Sequence, residues 1–144
     1  MLRQLLAALS ILTLTTLATP DEPKKEKTMD GSWQLVSGVL GGKDLPEEFT
    51  KSAVLVLKEG KYTLKSSFGD DSGTCRVDAT KTPKELDVTG VEGPNKGKSY
   101  QAIYELDGDT LKVCYDMTGK ARPTEFKSPA DTKLFLAVYN RKKE

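Results

Sequence analysis

Histidine is absent from all 144 residues, which removes Ser-His and Cys-His nucleophile pairs and every imidazole metal ligand. Only two cysteines are present, Cys75 and Cys114, and without histidine or clustered carboxylates they make no zinc site. A dominant charge is also missing. The chain carries 22 basic and 21 acidic residues, and the only charge before Thr19 is Arg3, so the chain from Thr19 onward is formally neutral. That balance gives no reason to expect nucleic acid or an anionic membrane as partner. Long apolar runs are confined to the first 18 residues, and beyond them no stretch is long enough to form a helical layer.

What is there begins with that first segment. Arg3, an apolar run over 5–17 and the small residues Thr16 and Ala18 describe a secretory signal peptide, shorter than a comfortable membrane span. Residues 1–18 are therefore expected to be removed, leaving an exported chain, periplasmic or extracellular, with no stable membrane insertion after cleavage. The alternative is an uncleaved anchor. No cysteine comes after the run, so a lipid anchor on that residue is not available. Residues 19–30, with Pro20, Pro23 and seven charges, read as a solvated linker. Residues 31–144 form one domain.

The domain is organised around 98–116. Two alternating segments rich in Tyr, Ile, Val and Leu flank Asp107-Gly108, a pair suited to a tight hairpin turn. A two-residue loop sets Tyr104 opposite Leu111 and Ala102 opposite Val113, with the large apolar residues on one side. A four-residue loop keeps the same sides, whereas an odd loop would mix them. A second hairpin turns at Glu59-Gly60, with Leu57 facing Tyr62 and Leu55 facing Leu64. Further strands are expected at 33–40, 73–79, 85–89 and 133–140, and a short helical turn over 46–49, where Pro46 precedes Glu47 and Glu48.

Eight short strands with brief turns point to an all-β domain, an eight-stranded up-and-down antiparallel barrel with one short helical turn after the first strand. Closure removes sheet edges, and eight strands leave room for side chains or one small ligand. Alternation sends Trp33, Leu35, Leu55, Leu57, Tyr62, Leu64, Cys75, Val77, Leu86, Val88, Tyr100, Ala102, Tyr104, Leu111, Val113 and Tyr115 inward. At roughly 1.5–3 kcal/mol per large buried side chain, that is a sufficient core.

Gly31-Ser32-Trp33 on the first strand and Arg141 at the end of the last resemble the lipocalin and wider calycin pattern. In that pattern the Trp plugs one end of the barrel and the Arg lies across it, an arrangement worth about 0.5–2 kcal/mol. The blocks 45–49, 93–98, 102–115 and 119–126 are similar to the exported lipocalin-like domain that planctomycete bacteria carry in many copies. The resemblance covers nearly all of the chain after the linker. It implies a barrel and export, and assigns no activity.

Other chemistry is excluded residue by residue. Gly97-Lys98-Ser99 matches the end of a phosphate-binding loop, but Glu92 stands where its first glycine belongs and no helix comes after it. Asp107 and Asp109 at a hairpin tip fall short of the oxygens calcium takes. Asp70-Asp71 reads as a solvated turn, with no partner acid across a cleft. In an exported chain a Cys75–Cys114 disulfide would contribute about 4 kcal/mol, yet parity puts Cys75 inside and Cys114 outside. A bulge in either strand would reverse that.

The constellation that remains is Tyr62, Tyr100, Tyr104 and Tyr115, with Leu57 and Leu64, on the inner face. It lines a pocket for an apolar or aromatic ligand, or is a filled core with hydroxyls reaching the barrel ends. Phe49 and Phe126 either close the mouth or staple their own loops. The expected protein is non-enzymatic, needs no cofactor and no metal, and binds a small, mostly apolar molecule. The alternative is a ligand-free envelope module whose protein partner contacts Val54, Val56 and the doubly apolar last strand.

Overall fold

A computed structural model describes residues 28–143; the expected signal peptide and all but the end of the linker lie outside them. The strands are β1 (Gly31–Leu40), β2 (Lys43–Asp44), β3 (Val54–Lys58), β4 (Lys61–Lys65), β5 (Asp71–Asp78), β6 (Lys84–Glu92), β7 (Ser99–Asp107), β8 (Thr110–Asp116) and β9 (Leu134–Arg141), with one helix, α1 (Glu47–Ser52). Each long strand pairs antiparallel with the next, and β9 pairs back onto β1. The result is a closed eight-stranded up-and-down barrel, with the two-residue β2 beside β1.

The 57/62 hairpin has the expected register, Leu55 opposite Leu64 and Leu57 opposite Tyr62. Glu59 and Gly60 take φ of 49° and 76°, the left-handed pair that matches strand twist. The 107–110 hairpin differs. Its ladder runs to Asp107 opposite Thr110, so Tyr104 faces Val113 and Ala102 faces Tyr115. Gly108, at φ 57°, occupies the first loop position rather than the second. The register moves by two residues, and the inward faces are kept because the slip is even.

Bulges account for two other departures. Val36 is the extra residue between Leu35 and Ser37 against β9; it stands exposed, and Gly38 turns inward against Leu45 and Phe135. A second bulge on β6 leaves Val91 exposed opposite the Ser72/Gly73 step. Val77, expected inside, is 50% exposed. β5 pairs with β4 only as far as Thr74, so beyond Cys75 it has a strand neighbour on one side alone.

One end of the barrel, the floor, holds the turns at 59–60 and 108–109. The other, the rim, holds α1 and the loops at 66–70, 93–98 and 117–133. α1 is joined to the wall by Gln34, whose amide donates at 3.2 Å to the carbonyls of Thr50 and Lys51, which a helix C-terminus otherwise leaves orphaned, and to Ala53 O, which also accepts from the Leu35 amide. The 117–133 segment lies on the outer wall. It covers outward-facing Ile103 and Cys114, 1% and 0% exposed. Arg122 pins it by donating to Ala102 O at 2.8 Å and Asp87 at 2.7 Å. Asp116 anchors its start, accepting from the Thr118 hydroxyl (2.7 Å), the Ala121 amide (2.7 Å) and the Thr118 and Lys120 amides. Burial raises this carboxyl, but those hydrogen bonds overcome it and the net direction is down.

Candidate binding cavity

Trp33 is fully buried and closes the floor. Arg141 lies opposite it across the β1–β9 ladder, with its guanidinium carbon 4.3 Å from the ring centre. The indole nitrogen donates to Met29 O at 2.9 Å. Arg141 donates to Asp30 O at 2.9 Å and Thr28 O at 3.0 Å. Its Nε stands 3.2 Å from the Asp109 carboxylate as an ion pair without hydrogen-bond alignment. Residues 28–30, expected in the solvated linker, are thus bound to the floor. Gly31 makes room for this, since a Cβ there would meet Arg141 Nη1 at 3.0 Å.

Above the floor lies a cavity of about 90 Å³. Of the residues expected to line it, Leu57, Leu64, Tyr62, Tyr100 and Tyr115 do so, and Tyr104 does not. Tyr104 is buried in the packed core and borders instead a shallow outer groove with Leu106 and Phe126. Six cavity residues that sequence reasoning missed are Met29, Asp71, Asn95, Met117, Phe135 and Tyr139.

Asp71 was expected in a solvated turn, but it opens β5 and is 7% exposed. It accepts from Tyr62 Oη at 3.1 Å, from Asn95 Nδ2 at 2.8 Å and from the Asn95 amide at 3.3 Å. Tyr100 in turn donates to Asn95 Oδ1 at 3.0 Å. Tyr62 reaches Asp71 because its ring passes over Gly73, where a Cβ would come within 2.8 Å of it. Asn95 reaches in because the 93–98 loop crosses Gly90, where a Cβ would overlap Asn95 O. A loop set aside as a failed phosphate site is therefore the polar wall of the cavity.

Burial pushes the Tyr62 phenol far up, with the charge of Asp71 and its hydrogen bond adding to the shift. Tyr100 is raised by burial and then by Asp71. Burial, with Tyr139 close by adding to it, holds Tyr115 well above the usual range, and burial pushes Tyr139 up to about 12. Tyr115 keeps some accessible surface because it borders the cavity, and it stacks on Phe135 at 5.7 Å.

Cys75 and Cys114 are free and lie on opposite faces of the wall. Cys75 borders the cavity, while the Cys114 thiol donates to Lys127 O at 3.4 Å under the outer segment. Burial raises Cys75, with the charge of Asp30 second, which favours the unreactive thiol. Phe49 packs on the core and against Phe68 at 5.7 Å. Phe126 lies below the Lys112 ammonium on the outer wall, so it closes no mouth. Val54 and Val56, expected exposed, are half-buried. Among the described residues no group of three or more acids or cysteines could hold a metal ion, and no helix is long and apolar enough to cross a membrane.

No protein-family model matches the chain, and no curated protein matches it. Among solved structures it is similar to a protein of the DUF4847 family from Bacteroides vulgatus, at 14% identity over 80% of this chain and 94% of that one, with a TM-score of 0.48. The barrel itself is established by this chain's own ladder of paired strands.

Proposed function

We propose that this chain is an exported, non-enzymatic binding protein of lipocalin-like type that encloses one small, mostly apolar molecule in the cavity above Trp33. The cavity carries the reading. Protein interiors keep few voids larger than a water molecule, whereas here a space of about 90 Å³ is kept among leucines, valines and tyrosines, side chains with ample means to fill it.

The volume limits the ligand. A protein cavity of about 150 Å³ takes up benzene, with six non-hydrogen atoms, so this one of about 90 Å³ suits a molecule of about four. At no more than ~1.5 kcal/mol per atom, affinity for such a molecule is micromolar at its tightest. The binding reading is preferred to an enzymatic one because the chain lacks histidine and the cavity's thiol is held protonated by burial. Export is supported by the composition of residues 1–18.

Isothermal titration and thermal melting against a panel of C3–C5 alcohols, amines, acids and hydrocarbons test the proposal. At least one member should bind with a micromolar to millimolar Kd and raise the Tm. A flat response across the panel defeats it.

A further inference from the structure

The buried carboxylate at the cavity wall has no cationic partner among the described residues. Asp71 is 7% exposed, and no described Lys or Arg stands within ion-pair distance of it. Buried charges are ordinarily paired. All three of its hydrogen-bond partners are donors, Tyr62 Oη, Asn95 Nδ2 and the Asn95 amide, so the protein uses it as an acceptor. A carboxylate offers about four acceptor positions, which leaves one unfilled. The hydroxyls beside it are already engaged, Tyr62 on Asp71 and Tyr100 on Asn95. The tyrosines therefore show the cavity mainly their rings, whose faces attract cations.

We propose that the molecule enclosed is a small primary amine, its ammonium paired with Asp71 and its carbon chain among Leu57, Leu64, Val88 and Tyr115. This rests on the binding function proposed for the cavity and names the ligand's class. An anion is disfavoured, because the cavity wall has no Lys or Arg and an anion would face Asp71. A neutral alcohol would fit the volume but leave the charge unpaired. The volume of about 90 Å³ admits a chain of about three carbons besides the nitrogen.

The test is a matched series of small probes, propylamine, 1-propanol and propionate, titrated at pH 7 into the native protein by calorimetry and followed by Tm. A charge-assisted hydrogen bond is about twice as strong as a neutral one, so the amine should bind about tenfold or more tighter than the alcohol, with the acid not binding. In Asp71→Asn the advantage of the amine over the alcohol should vanish. Equal binding of amine and alcohol by the native protein overturns the amine proposal while the cavity still binds. No binding by any of the three, nor by the wider panel, overturns both. The native-protein series decides the matter even where Asp71→Asn does not fold. Tyr62→Phe, which keeps the carboxylate and removes one competing donor, should retain the amine preference, and losing it there would count against the assignment.

Discussion

The two ends of the barrel interior are closed by opposite means. At the floor a single apolar ring, Trp33, fills the space, and the hydrogen bonds around it are made within the protein, the indole to Met29 O and Arg141 to the carbonyls of Thr28 and Asp30. Towards the rim the closure is a polar chain, Tyr62, Asp71, Asn95 and Tyr100, drawn across an unfilled space. The first arrangement gains stability from burial and dispersion. The second retains both a void and a buried charge, the two features that stability alone would remove. Where a small domain keeps such costs at one place and avoids them at another, that place is the candidate for function.

The contrast can be broken most severely at the floor. Trp33→Ala should cost about 3–5 kcal/mol, read as a fall in the urea midpoint, and little loss would mean that the ring is no plug. Next comes the outer segment that stiffens the rim. Asp116→Asn should lose about 2–3 kcal/mol at pH 7, since an amide cannot accept from Thr118, Lys120 and Ala121 together. The native carboxyl lies below its usual value, so its contribution is present above the unfolded value near 4 and is lost as pH falls through the folded one. The gap in urea midpoint between the native protein and the variant should therefore narrow as pH falls from 7 to 3. A gap of the same size at both pH values would contradict the assignment.

Arg141→Lys should cost about 1–2 kcal/mol, because an ammonium cannot serve two carbonyls and the ring face with one planar fork. Cys75→Leu sharpens the comparison in the other direction. By filling part of the cavity it should raise stability by about 1 kcal/mol and abolish ligand binding. A variant that is stabilised yet still binds would place the ligand elsewhere.

Much of the floor was legible in the sequence, and little of the polar wall was. Alternation alone put Trp33, Leu55, Leu57, Tyr62, Leu111 and Val113 inside, because a two-residue period needs no knowledge of partners. The Leu57/Tyr62 register came from the turn. The 107–110 register was missed by two because Gly108 serves at either loop position, and the partner strands decide which. Asp71 was misread because two adjacent acids look solvated. Its place on the inner face depends on a loop 24 residues away delivering Asn95. Tyr139 had a usable signal: if Arg141 lies across Trp33, the residue two before it faces inward as well. The bulge at Val36 had none, being a property of how β1 meets β9.

Because Arg141 grips Thr28 as well as the ring above it, the backbone arrives at this little cask and departs from it through the same doorway, both strands of traffic knotted by one guanidinium beneath the indole. The loop that carries Asn95 stands at the opposite end, away from that crossing.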